Sequence, residues 1–241
     1  MRNKPGPSGI ARCRGAALLL LLVFLVLGSS YALLAGTSPP TGARQTERAL
    51  AHAREALISW SSAQGVGGGS ARPGELPCPD TSNTGTAASS CTSTRIGRLP
   101  WKTLGIPQLL DEQGETLWYV VDDAFRRTST SPINSDTRAS LQAYSKNGST
   151  RLTAEGDEAV AIVFAPGRPI GNQRRNTSTE QLSASNYLET ALGRNNASNT
   201  GPFIDGPITG TDSTLLLNDR LMVLNVRALM APVEKRVAGE A

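Results

Sequence analysis

Few side chains in this sequence are equipped for chemistry, and their spacing narrows what they can do. There is one histidine, His52, and there are three cysteines, Cys13, Cys78 and Cys91. His52 stands between alanines in a helical pattern. A lone histidine there is a surface residue, and with no second one in the chain no Ser-His-Asp or Cys-His constellation is expected. Cys78 and Cys91 have twelve residues between them. In an oxidising compartment they have each other to pair with. A zinc site is the rival, but two cysteines and a distant His52 do not supply four ligands. A disulfide is therefore expected, closing a loop whose constraint is worth about 3 kcal/mol in the chain-entropy account.

Two acidic patterns could also carry chemistry. Asp80-x-Ser82-x-Thr84-Gly85 echoes a calcium loop, with oxygen groups at alternate positions and glycine at the sixth. The acid needed at the twelfth place falls on Cys91, so a surface loop pinned by its bridge is the better account. Asp122 and Asp123 are adjacent, and adjacent side chains on a strand point apart, so they mark a strand end and not an acid–base pair. No metal, no cofactor and no catalytic residue is expected, and an enzyme is the most distant of the readings considered.

The formal charge of +4 misleads. Arg2, Lys4, Arg12 and Arg14 lie in the first fifteen residues with no acid among them, leaving 20 charges of each sign elsewhere. A balanced remainder gives no electrostatic footprint for nucleic acid. Arg126-Arg127 and Arg174-Arg175 could touch phosphate locally, but they read better as solvated loop arginines.

The elements that position these groups follow from periodicity. Thr37-Ser38-Pro39-Pro40-Thr41-Gly42 interrupts any helix. Residues 43–64 then resume a helical pattern, with Leu50, Ala53, Leu57 and Trp60 on one face and Arg44, Glu47, Arg48, Arg54 and Glu55 available for the others. Residues 65–73 have linker composition. A packed turn and short helix is expected within 99–110, a turn at 111–114, and a strand at 116–121 with Trp118 and Val120 on one face. Residues 129–149 read as loop anchored by Leu141 and Tyr144, and 158–164 as the clearest buried strand. Residues 171–210 are long, polar and Asn-rich, and read as an exposed excursion with one helical turn around 181–192. Strands are expected at 215–217 and 221–226 around an Asn218-Asp219 turn, and a terminal helix at 228–238.

Residues 16–36 form an apolar run of 21 residues without a charge. As a helix this run is about 31 Å long, enough to span a bilayer core once. The basic side chains precede it, so the N-terminus and Cys13 are expected in the cytoplasm and everything after Gly36 outside it. A secretory signal would use residues 16–27 as its apolar region and Ser30-Tyr31-Ala32 as its cleavage site. A lipoprotein signal is excluded, since Cys13 precedes the run.

A third signal fits the junction Arg14-Gly15-Ala16-Ala17-Leu18, which resembles a prepilin-type cleavage site: a basic leader ending in glycine, then an apolar helix kept on the mature protein. The start is similar to a type IV pilin or pseudopilin precursor of a Gram-negative bacterium. Further blocks resemble a group of pilin-like proteins and follow in the expected order. They are Glu75-Leu76-Pro77-Cys78-Pro79-Asp80, Cys91, Gly97-Arg98-Leu99-Pro100-Trp101-Lys102-Thr103-Leu104-Gly105, Leu117-Trp118-Tyr119-Val120-Val121 and Asn218-Asp219-Arg220-Leu221-Met222-Val223. One departure stands out. Major pilins carry glutamate at the fifth residue after cleavage, and here that place is Leu20. A carboxylate in the bilayer is kept only for a purpose, and subunits without it resemble tip or initiating subunits.

The resemblance implies an α+β, pilin-like fold: an N-terminal transmembrane helix continuing, with a Pro break, into an amphipathic helix packed on an antiparallel β-sheet. It implies a prepilin-type leader at 1–15, a transmembrane helix at 16–36, the break and amphipathic helix at 37–64, and a β-rich periplasmic or extracellular domain at 65–241. Prepilin peptidase would cut between Gly15 and Ala16. The mature N-terminal helix would sit in the inner membrane and bundle with other pilin or pseudopilin subunits of a type IV pilus or type II-secretion-like assembly. The alternative is a signal-anchored or secreted periplasmic binding domain outside any filament.

Overall fold

Helix α1 (Thr41–Ala63) starts directly after Pro39-Pro40 in the sequence, where the missing backbone N–H of proline does least harm to a helix. In this computed structural model residues 22–24, 41–65, 71–127, 129 and 131–240 are described. The chain divides after Pro40 into two units. In the first, residues 22–24 are helical; the rest of the expected 16–36 span, and the Gly15/Ala16 junction, lie outside the described residues. Among the described residues no helix is long and apolar enough to cross a membrane.

The second unit is mixed helix and sheet. On α1 the expected stripe is real: Leu50, Ala53 and Leu57 are buried together with Ala49 and Ala56, and Trp60 is half-buried. Arg44, Glu47, Arg48, His52 and Glu55 are exposed. Burying Leu57 alone contributes about 1.5–3 kcal/mol. The stripe packs on an antiparallel four-stranded sheet in the order β1-β2-β4-β10, built from β1 (Ile96–Arg98), β2 (Trp118–Val121), β4 (Ala159–Ala165) and β10 (Arg220–Asn225). Helix α3 (Val226–Glu240) follows β10 and places Leu229, Met230 and Val233 in the same core. At its far end Arg236 donates to the carbonyl of Gln64, tying α3 to the residue just past α1.

All seven residues of β4 are buried. A strand buried on both faces needs an unbroken apolar run, and that is why 158–164 stands out in the sequence. Alternation divides its side chains: Val163 and Ala161 face the helices, whereas Ile162 and Phe164 face the other way. β2 does the same, with Tyr119 and Val121 on the helix side and Trp118 and Val120 opposite.

What covers that opposite face differs from expectation. Segment 171–210 is not an exposed excursion. Tyr187, Leu188 and Phe203 pack there with Trp118, Ile162 and Phe164, and with Leu141 and Ala143 from the expected 129–149 loop. The segment is assembled from short pieces: α2 (Ser178–Leu182), a 3-10 turn (Ala184–Asn186), the hairpin β5 (Thr190–Ala191) and β6 (Arg194–Asn195), then β7 (Phe203–Ile204) and β8 (Ile208–Thr209). β7 pairs in parallel with β3 (Ala143–Tyr144), and β8 with β9 (Leu215–Leu217). Consequently β9 and β10 belong to different sheets and do not pair across their turn. The 99–110 segment forms tight turns without a helix, closed by bonds from Leu104 to Pro100 and from Ile106 to Trp101, each 3.0 Å.

Candidate functional site

Cys78 and Cys91 are joined in a disulfide and are both buried. The loop between them is ordered by Asp80, whose carboxylate accepts from the Ser82 backbone at 2.8 Å, the Ser82 hydroxyl at 2.9 Å and the Gly85 backbone at 2.6 Å. A carboxylate spent on a turn in this way is not arranged for calcium, and no group of three metal-ligating side chains exists among the described residues. Gly85 has φ +83°, and a β-carbon there would stand 2.4 Å from the Trp101 ring. Glycine is therefore required twice over, by backbone and by space. Gly97 serves a close approach as well: Asp80 and Arg98 exchange backbone bonds of 2.9 and 2.8 Å, and a β-carbon on Gly97 would meet the Asp80 carbonyl at 2.6 Å.

The adjacent aspartates part as expected. Asp122 is buried and accepts from the Ala124 backbone, the Ser140 backbone and the Ser140 hydroxyl. Asp123 is exposed and pairs with Arg126 at 2.8 Å and Arg95 at 3.8 Å. The hydrogen bond from Arg126 holds its carboxyl below the usual range. Of the arginine pairs, Arg127 faces Glu75 at 3.8 Å and Arg175 holds Glu115 at 2.9 Å. Internal acids therefore occupy both. His52 lies on the exposed face of α1, one turn from exposed Glu55.

Two clusters escaped the sequence because their members are scattered along it. In the first, Tyr187 is sandwiched between two guanidinium groups, Arg98 at 4.4 Å and Arg175 at 4.1 Å, with Trp118 at 5.2 Å. Arg98 is 5% exposed, lies 5.1 Å over Trp118, and donates to the Gln181 carbonyl at 3.1 Å. The capping box of α2, Thr177 with Glu180, fixes the helix that supplies that carbonyl. This stack clamps 171–190 onto β1 and β2.

The second cluster is acidic. Asp219, fully buried, accepts from the Glu189 backbone at 3.0 Å and from the Asn196 amide at 2.9 Å. The Glu189 carboxyl accepts from the Asn218 backbone at 2.9 Å and from the Gln173 amide at 2.6 Å. Asn196 also brackets Ile204, donating to its carbonyl and accepting from its N–H, both at 2.9 Å. Burial raises both acids above the usual carboxylate range, Asp219 the more strongly. Beside Glu189 runs an open groove of about 600 Å³, lined by amides such as Gln173, Asn186 and Asn195 and by Leu188, Leu215 and Leu216. Most of these amides are already engaged: Gln173 with Glu189 and Arg175, Asn186 with Glu180 and Arg174, and Asn195 with Ala197. The arrangement is suited to holding a lobe together and shows no nucleophile set against a base. Comparison with known proteins finds no matching family model, no similar curated protein and no similar solved structure.

Proposed function

We propose that the chain is a minor pilin-like or pseudopilin-like structural subunit of a type IV pilus or type II-secretion-like assembly, and not an enzyme. The observation that carries this reading is α1: an amphipathic helix laid by its apolar stripe on an antiparallel sheet, directly downstream of a 21-residue uncharged run. In this reading a prepilin peptidase removes residues 1–15 between Gly15 and Ala16. The run 16–36 holds the subunit in the inner membrane and bundles with its neighbours, and the disulfide-bonded domain stands in the periplasm or on a surface filament. Leu20, in place of a glutamate, favours a minor role over a bulk one.

Leu20 and the Pro39-Pro40 break also favour a second reading, a signal-anchored or secreted periplasmic binding domain outside any filament. N-terminal sequencing and intact mass of the membrane-derived protein, with and without a prepilin peptidase, separate the two. A mature chain that starts at Ala16 and depends on the peptidase is the expected result. A chain starting at Leu33, or an uncut chain in cells that contain the peptidase, overturns it in favour of the second reading.

A further inference from the structure

We propose that the small cavity between β1 and the end of α2 binds a small monovalent carboxylate, held by the Arg98 guanidinium and the Trp118 indole N–H. The inference does not depend on the proposed function. The cavity has a volume of about 70 Å³ and is lined by both side chains. Arg98 is 5% exposed and Trp118 is 1% exposed. Nε of Arg98 and Nε1 of Trp118 are buried donors with no hydrogen-bond partner among the described residues. Folded interiors leave few such donors unpaired, and two of them bordering one cavity require an acceptor inside it.

Charge decides what that acceptor is. Aromatic rings already cover the guanidinium, whose carbon lies 4.4 Å from the centre of the Tyr187 ring and 5.1 Å from that of Trp118. A ring attracts the cation through its face but leaves the N–H groups, which point outward in the guanidinium plane, in need of acceptors. Nη2 finds a neutral one, the Gln181 carbonyl at 3.1 Å. Arg98 forms no ion pair among the described residues. The other charged side chain on the cavity is Asp80, and its carboxylate is committed to its own turn, accepting from Ser82 and Gly85. Water would satisfy the donors and leave a buried cation uncompensated, which is costly. An anion meets both needs, and it only accepts, as two donor-only groups require.

Size and shape narrow the anion. The cavity exceeds the roughly 10–15 Å³ that one water needs. It falls far short of the roughly 300–1,000 Å³ of sites that enclose larger ligands, so formate or acetate fits and a nucleotide does not. A single cation beside Asp80 suits one negative charge and not the two of phosphate. The planar fork of a guanidinium matches the two oxygens of a carboxylate, which a spherical ion cannot reproduce. Entry is from solvent, because Thr81, Thr94 and Leu182 also line the cavity and are exposed. A carboxylate can therefore arrive free or at the tip of an aspartate side chain. Once bound, it adds a bridge between β1 and α2 to the stack around Tyr187.

The test uses the full chain, labelled with ¹⁵N, with formate or acetate replacing chloride at constant ionic strength. NMR follows the Trp118 indole N–H and the Arg98 Nε–H, assigned by their absence in Trp118→Phe and Arg98→Gln. The indoles of Trp60 and Trp101 serve as internal references. Both cavity resonances should move along one saturating curve with a common midpoint while the references stay in place. Arg98→Gln should weaken formate binding, read at the Trp118 indole, by about tenfold or more. A parallel titration uses N-acetyl-aspartate amide. Saturation by it as well as by formate supports a site that admits a side-chain carboxylate, and saturation by formate or acetate alone supports a site for the free ion. No saturating shift when formate replaces chloride overturns the proposal and leaves the cavity to water. A shift shared equally by all three indoles overturns it too. Should Arg98→Gln fail to fold, the wild-type titration decides alone, supporting the site only where the two cavity resonances share a midpoint.

Discussion

Trp118 and Tyr119 are neighbours on one strand and belong to different cores. The Trp118 ring lies 5.2 Å from Tyr187 on one face of the sheet, while the Tyr119 hydroxyl donates to the Pro77 carbonyl at 3.1 Å on the other. The peptide between them marks the boundary between a helix-covered half and a half covered by the long polar segment. Burial pushes the Tyr119 phenol well above its ordinary value, so it stays neutral and keeps that bond.

The stack around Tyr187 makes the polar half depend on one ring. Tyr187 is 2% exposed and touches Trp118, Arg98 and Arg175. Tyr187→Ala removes the ring from between two guanidinium groups and should destabilise by about 3 kcal/mol or more in urea denaturation. Tyr187→Phe keeps the stack and should stay within about 1 kcal/mol of wild type.

Asp122 and Asp123 should behave oppositely despite their adjacency. Asp122→Ala strands two backbone donors and the Ser140 hydroxyl at a buried position and should lose about 2 kcal/mol. Asp123 has a side chain that is 62% exposed, and Asp123→Ala should fall within about 1 kcal/mol of wild type. Because its carboxyl is held low by Arg126, its small contribution is present above the usual carboxylate range and fades as pH falls through the lowered value. Thermal melts of the two variants over an acid series test the contrast.

The disulfide spans a sequence separation of 13 residues and pins a loop whose apolar anchorage includes Ala88, packed on the core, and the Trp101 ring beside Gly85. The Cys78→Ala/Cys91→Ala variant should be less stable than the oxidised wild type by about 3 kcal/mol. Denaturation of wild type with and without reductant should give a difference of the same sign. Equal stability of the oxidised and reduced forms would show that Asp80 and its turn already hold the loop.

Much of the helix-covered half was legible in the sequence. The Leu50, Ala53, Leu57 spacing, the apolar run of β4 and the Cys78–Cys91 pairing are local patterns, and local patterns survive without knowledge of partners. The polar half was not legible, because its core is built from isolated side chains: Tyr187, Phe203 and Ile204 stand among Asn, Ser, Thr and Gly with no period of two or of three to four. β5 to β8 have two residues each, too short for alternation to register. Asp219 reads as a turn residue on type alone. Its burial follows from Glu189 and Asn196, which lie 30 and 23 residues away. Polar residues there mark internal hydrogen bonds, not exposure.

Gly85 offers a way to separate backbone strain from crowding within the disulfide loop. Its φ of +83° penalises any β-carbon, and the Trp101 ring at 2.4 Å adds a collision. Neither neighbour can move freely, because the Gly85 carbonyl accepts from the Lys102 backbone at 2.8 Å and its N–H donates to Asp80 at 2.6 Å. Gly85→Ala in the wild-type background should therefore cost clearly more than the roughly 1 kcal/mol expected of conformation alone. In a Trp101→Ala background the ring is gone, and the added cost of Gly85→Ala should shrink to about that 1 kcal/mol. The double-mutant difference, read by urea denaturation, measures the contact between the turn and the ring. A cost that is the same in both backgrounds would mean that the backbone, and not Trp101, demands glycine at this position.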